Sequence, residues 1–316
     1  MRSILDWGAD VDSRSIVIAC AAPSFATHRI ANERHAIVAW LHTVPRGSRL
    51  AMESTGDYHE LLAELAVRAG LQVFVVNPHD LRRYAQGVGR RGKTDRVDAE
   101  VIARYVSREH PDLHAYVVPS KQQRAFARLI KRRDKLVEAK AALVQSLRGV
   151  RGMRLELNKA KRTFEQLIAA VEKRMREALK DIPAAQQTAE RIAEIPGIGA
   201  LTSAWLAHSF TRLPYPNSDA VVASSGLDPR PEDSGQKTGR RRLSKRGPAL
   251  TRKLLFNCAR SAARMPLWRP HYQAQLAKGL SKTAATLILA RKMLRVAFAL
   301  YKQNQPFDPA LIGVSA

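Results

Sequence analysis

The sequence predicts an α/β domain followed by a long, mainly α-helical remainder. Three observations carry this prediction. Strand and helix patterns alternate through the first 118 residues. From Ser120 the periodicity is helical and the composition turns to Lys, Arg, Glu, Gln, Ala and Leu, and the charge divides at nearly the same place. Of 316 residues, 45% are hydrophobic and 26% charged, which suffices for a buried core and argues against general disorder. The formal net charge is +25, yet residues 1–118 hold 15 Lys and Arg against 14 Asp and Glu, leaving 38 against 14 in residues 119–316. So one-sided a field points to a polyanion as partner, nucleic acid being the usual one, with carboxylate chemistry in front and polyanion binding behind.

The elements follow in order. "SILDWGADV" and "SIVIACAA" read as two strands joined by a short turn, and "RLAMES" as a third. A helix from about Gly56 to Ala69 has Leu61, Leu62 and Leu65 as its apolar side. "LQVFVVNP" is an apolar strand stopped by Pro78, and "KTDRVDAEVIARYVSRE" puts Val97, Val101, Ile102 and Tyr105 on one helical stripe. A mixed sheet whose first strands form a hairpin is expected. Leu129, Leu136, Leu143 and Val150 recur every seventh residue, as do Leu157, Phe164 and Val171, with Gly149 and Gly152 between them. That spacing predicts a helical hairpin at 119–182, either a coiled coil or part of a bundle. In residues 183–316, "IAEIPGIGALTSAWLAH" has the shape of a helix-hairpin-helix. There Gly197 and Gly199 would let backbone N–H groups approach a phosphate, or would serve only the turn. "PALTRKLLFNCARSAAR" and "KTAATLILARKMLRVAFALYKQ" are further helices.

Four carboxylates stand out by position. Asp10 lies at the end of the first strand pattern, with Asp6 and Asp12 competing on the same alternating face. Glu53 ends an apolar strand, where side chains of α/β sheets reach the ligand crevice. Asp95 and Asp98 share one face at a helix start, although Asp95 could simply cap the helix and Asp98 could pair with Lys93 or Arg104. Hard oxygen donors of this kind suit Mg²⁺ or Mn²⁺, including a two-metal pair on a phosphodiester. The stretch "PRPEDSGQKTGRRRLSKRG" sets Ser234 ahead of Lys237, Arg240, Arg241, Arg242, Lys245 and Arg246. It reads as a solvated surface loop or as a nucleophile delivered to a phosphate, with the cations offsetting charge. No histidine is close in sequence to activate Ser234, and Ser244 is expected to be dispensable.

Taken together, "GAD", "MESTGDY", "VVNP", "KTDRVDAEVIARY", "IPGIGALTSAWL" and "SSGLDPRPEDSG…GRRRLSKRGPALTRKLL" resemble the bridge-RNA-guided DEDD insertion-sequence transposases, the IS one-ten family with its IS eleven-eleven relatives, from about residue 4 to residue 312. The resemblance implies a RuvC-like (RNase H-like) domain at 1–118, a coiled-coil segment at 119–182 and a transposase domain at 183–316. It puts the metal-binding acids on Asp10, Glu53, Asp95 and Asp98, and the family's serine on Ser234. It further implies a covalent serine–DNA link, donor and target DNA as substrates, a structured guide RNA, and a homo-oligomer: a dimer, or a tetramer on DNA. The first motif departs from the family's usual "GID". A metal-dependent nuclease that uses water, and a non-enzymatic nucleic-acid-binding protein, are the competing readings.

No segment approaches the ~20 apolar residues that span a bilayer, so a membrane role is not expected. Asp6, Asp10, Asp12 and Arg14 interrupt any export-signal reading of the N-terminus. Cys20 and Cys258 lack metal-site spacing and read as buried thiols of a reducing compartment, which predicts a cytoplasmic protein, nucleoid-associated when acting.

Overall fold

A computed structural model describes residues 4–54, 56–89, 94–230, 239 and 241–312. The chain divides into two compact units, residues 1–118 and 119–316.

In the first unit, strands β1 (Asp6–Val11) and β2 (Ser15–Cys20) form the expected hairpin, and β3 (His28–Ala31) extends it at the edge. Helix α1 (Arg34–Leu41) leads to β4 (Arg49–Glu53), and α2 (Glu60–Arg68) to β5 (Gln72–Val76). The order is β3-β2-β1-β4-β5, with β1, β4 and β5 parallel and the hairpin strands antiparallel, a mixed sheet compatible with an RNase H-like domain. Helices α3 (Pro78–Gly87) and α4 (Asp95–Glu109) follow.

Strand alternation sorts the side chains. Trp7, Ala9, Val11, Ile16, Ile18, Leu50 and Met52 enter one core with Ile37, Trp40, Leu62 and Leu65 of α1 and α2. Each buried Val, Ile, Leu or Met among them contributes about 1.5–3 kcal/mol by leaving water. The opposite face carries Gly8, Val17, Ala19, Ala51, Phe74 and Val76, and α4 covers it with Ala99, Ile102 and Val106. The approach is closest at Gly8, where a Cβ would stand 2.1 Å from the Ala103 backbone N and 2.3 Å from the Ala99 carbonyl oxygen. A strand glycine here lets a helix backbone rest directly on a strand. Gly8→Ala is therefore expected to cost about 3 kcal/mol or more, because backbone atoms cannot swing aside as a side chain can. Denaturant unfolding of the full chain measures this.

The second unit begins with α5 (Lys121–Ser146), closed by a capping box between Ser120 and Gln123, and α6 (Arg154–Lys180). The two form an antiparallel hairpin, bridged by Arg133–Glu172 at 2.9 Å and Lys140–Glu165 at 2.6 Å. Its seam residues Leu129, Leu136, Leu143, Leu157, Phe164 and Val171 are half-buried, whereas Val150 in the connecting turn is exposed. Phe126, Ile130, Met175 and Leu179, at the root of the hairpin, enter one core with the helices that follow. These are α7 (Pro183–Ala193), α8 (Ala200–Arg212), α9 (Ser218–Ser225), α10 (Ala249–Ala262), α11 (Arg269–Ala277) and α12 (Lys282–Gln303). Two-residue strands β6 (Pro229–Arg230) and β7 (Arg242–Leu243) pair between α9 and α10. No described helix is long and apolar enough to cross a membrane. Cys258 is buried, donating to Thr202, but Cys20, the last residue of β2, is only half-buried, since β3 pairs with β2 no farther than Ile18.

His208 lies in the second core beside Phe126 and Trp205, and its Nδ1 has no hydrogen-bond partner among the described residues. Burial, helped by nearby Arg212, holds its pKa down at about 4 from 6.5. The unfolded chain therefore takes up this proton first, so the stability is intact above pH 6.5 and is lost as pH falls toward 4. The loss should reach ~3 kcal/mol at acid pH, and His208→Gln should flatten the pH dependence of denaturant unfolding by that amount.

Candidate functional site

The direction of α4 across the sheet decides which acids can meet. At the start of the parallel strands, Arg49 pairs with Asp6 at 2.5 Å and also contacts His110, which caps the C-terminus of α4. The other end of α4, with Asp95 and Asp98 in its first turn, therefore lies toward the carboxyl ends of β1 and β4. The pairing of these strands runs to Ala9 opposite Met52, so Asp10 and Glu53 are the next residues side by side. Both share the strand face of Gly8 and Ala51 on which α4 rests. Asp10, Glu53 and Asp98 are half-buried. Asp6 is committed to Arg49 at the far end of the strand, and Asp12 is exposed in the hairpin turn, where its N–H donates to the Ser15 carbonyl.

Asp95 stands apart. Thr94, not Asp95, caps α4, its hydroxyl accepting from the Val97 N–H at 3.3 Å. The Asp95 carboxylate instead accepts from Arg29 of β3 at 2.7 Å, an exposed pair. Among the described residues, no three His, Cys, Asp or Glu side chains come together as a metal-holding group. The donor chemistry of the four acids suits a hard divalent cation. Their assembly as a ligand set is not present, with Asp95 turned to Arg29.

In the second unit, Ser234, Lys237 and Arg240 lie outside the described residues, as does Lys93 in the first unit. The segment carrying the serine starts and ends at a well-defined base. β6 and β7 pair through Pro229–Leu243 and Arg230–Arg242. Below them, the Ser244 N–H donates to the Asp228 carbonyl at 2.9 Å and its hydroxyl donates to the Asp228 carboxylate. Ser244 is thus a structural member of the base. Gly226 has φ +69°, and a Cβ there would lie 2.8 Å from the backbone N of both Arg246 and Gly247. Arg252 donates to the Ser225 carbonyl at 3.3 Å, and Arg291 to the Leu227 carbonyl at 3.1 Å. Burial lowers the pKa of both guanidinium groups, which tie α10 and α12 to the base. Arg241, Arg242, Lys245 and Arg246 are exposed along its rim, Lys245 with φ +54°.

Sequence reasoning did not single out the glycines of "SSGLDP" and "SKRG", nor Arg252 and Arg291. The "PGIG" turn is packed into the core. Gly197, at φ +92°, would place a Cβ 2.9 Å from Ala262 Cβ and 3.4 Å from Met293 Cε. The room left by this glycine is taken by α10 and α12. The Pro196 carbonyl accepts from the indole N–H of fully buried Trp268 at 2.7 Å, which fixes the turn to the core. Of the two glycines, only Gly199, the N-cap of α8, has open space beside it.

A mixed five-stranded sheet with paired acids at its parallel strand ends, in a chain with a cationic helical unit, defines a polynucleotide-processing architecture. A family profile described as transposase matches residues 5–150, and a second, described as the IS116/IS110/IS902 transposase family, matches residues 189–274. The chain is 27% identical over 270 residues to the pilin gene-inverting protein of Moraxella bovis, covering 82% of this chain and 81% of the relative. It is 28% identical over 299 residues to the transposase for insertion sequence element IS1328 of Yersinia enterocolitica, covering 82% and 85%. The transposase for IS1111A of Coxiella burnetii is 29% identical over 275 residues, covering 77% and 72%. The chain belongs to the IS110 family of transposases, enzymes that cut and rejoin DNA.

Proposed function

We propose that this transposase is an RNA-guided recombinase of an insertion sequence that acts through a serine–DNA covalent intermediate. The observation that best supports this reading is the loop base. It spends two carbonyl-binding guanidinium groups, a hydroxyl–carboxylate bond and a positive-φ glycine on holding the two ends of one Ser-containing segment. A merely solvated loop needs no such anchoring. Arg241, Arg242, Lys245 and Arg246 on the rim, with Lys237 and Arg240, would hold DNA phosphates while the Ser234 hydroxyl attacks one.

Asp10, Glu53, Asp95 and Asp98 would hold Mg²⁺ or Mn²⁺, which when bound supplies positive charge to the reacting phosphodiester. The Arg29–Asp95 pair does not oppose this, since exposed ion pairs are worth about 0–1 kcal/mol and give way to a divalent cation. The α5–α6 hairpin fits a coiled-coil element of a homo-oligomer, dimeric or tetrameric on DNA, because a lone two-helix seam stays half-exposed. The α7–α8 turn, with Gly199 open at the start of α8, fits a helix-hairpin-helix contact to a backbone phosphate. Donor and target DNA and a structured guide RNA are the partners, in the cytoplasm, at the nucleoid during action.

The test is recombination between purified donor and target plasmids, with the co-purifying RNA retained or digested. The reading requires that product disappear on digestion and return when RNA transcribed from the element's flank is added. Recombination that is indifferent to RNA would leave a transposase without a guide.

A further inference from the structure

Away from the serine loop, the second unit holds a depression of about 620 Å³ between the end of α10 and the starts of α11 and α12. Arg260, Arg264, Arg269 and Lys282 line it with the half-buried rings of Phe256 and Tyr272. No acidic residue lines it. Among the described residues, no carboxylate pairs with any of the four cations. The local backbone does not explain them all. A helix C-terminus favours cations, which accounts for Arg260, but Arg269 and Lys282 each open a helix, the end that disfavours positive charge. Four like charges held together against this preference want an anion between them.

The size and lining narrow the class of anion. The depression has the volume of a small-molecule site, large enough for one nucleotide. Its two aromatic rings offer faces and edges to a base, which a duplex keeps inside its stack and only an unpaired strand can present. We propose that this pocket binds an unpaired stretch of nucleic acid, its phosphates on Arg260, Arg264, Arg269 and Lys282 and a base against Tyr272 or Phe256. The pocket and the loop base sit at opposite ends of α10, whose 14 residues span about 20 Å. The site is thus a second holding point, at the other end of α10 from the loop base. The proposal deepens the recombinase reading, since it supplies a grip on the strand to be exchanged or on its guide.

Fluorescence polarisation of the full chain with a labelled oligothymidylate, and in parallel an oligouridylate, tests it across a salt series. Arg260→Ala combined with Arg264→Ala should weaken binding roughly tenfold and lower the slope of log affinity on log salt by about 1.4. Tyr272→Leu should weaken binding with the slope unchanged, because stacking releases no counterions. The arm that responds, DNA or RNA, identifies the strand. The charge-matched pair Arg34→Ala and Arg82→Ala, exposed on the first unit, should stay within about twofold. Equal losses in the two double variants, or no loss from the pocket pair, would overturn the pocket in favour of diffuse attraction. These probes contain no recombination site, so the pocket can stand if Ser234 proves dispensable, and can fall while serine chemistry stands.

Discussion

Ser234→Ala is expected to abolish recombination, by a factor of about 10³ or more, while DNA and RNA binding stay near the original level. If the serine oxygen attacks phosphorus, one P–O ester to the protein forms as the P–O bond to the leaving strand breaks. The leaving oxygen takes a proton, and one strand remains esterified to the enzyme. That exchange of one phosphoester for another conserves the bond needed for rejoining, which attack by water would discard. A substrate nicked so that the leaving strand diffuses away should therefore trap a protein–DNA adduct that survives denaturing electrophoresis, and Ser234→Ala should leave none. Products with free ends from the alanine variant would instead identify a metal-dependent nuclease. Ser244→Ala serves as a different comparison. It breaks the bond to Asp228 at the loop base, so it should lower adduct yield through a misplaced loop without eliminating the ester.

Glu53→Gln is expected to reduce strand cutting by at least about a hundredfold, since even substitutions around metal ligands cost 10–100-fold and this one removes a proposed ligand. Nucleic-acid binding should persist, because the net charge of residues 119–316 is untouched. A direct readout is Mn²⁺-dependent thermal stabilisation, which should shrink in Glu53→Gln and Asp10→Asn even before any DNA is added. Asp6→Asn gives the opposite pattern. It strips the partner from half-buried Arg49 and should destabilise the unit, leaving Mn²⁺ stabilisation intact in the folded fraction. Cutting by Glu53→Gln at the original rate would make the acids structural.

Much of this was legible in the chain. Alternation in "SIVIAC" and "RLAME", and the helical stripe after Thr94, announced a mixed sheet with a covering helix, because a period of 2 or 3.6 is a local property. The edge strand His28–Ala31 was not, since its residues are mostly exposed and leave no alternation. Nor were α1 and α9, short helices whose apolar residues resemble those of a strand. The ambiguity among Asp6, Asp10 and Asp12 turned on strand pairing and on which end of α4 meets Arg49, neither of which is local. Gly197 was open to two readings for a related reason. A glycine in a turn looks the same in sequence whether its missing side chain admits a phosphate or the neighbouring Ala262.

The seating of α4 on Gly8 has a consequence for how the enzyme responds to heat. A helix resting on side chains can settle by small rotamer adjustments, but one resting backbone to backbone transmits any displacement of the strand undamped. β1 is positioned from its other face by Trp7 packed edge-on against Trp40 at 5.6 Å. A milder change there, such as Trp40→Phe, would loosen β1 without unfolding the sheet, and with it the spacing of Asp10 from the turn that bears Asp98. Such variants should behave as temperature-sensitive alleles, transposing at low temperature and failing a few degrees higher while the protein is still folded.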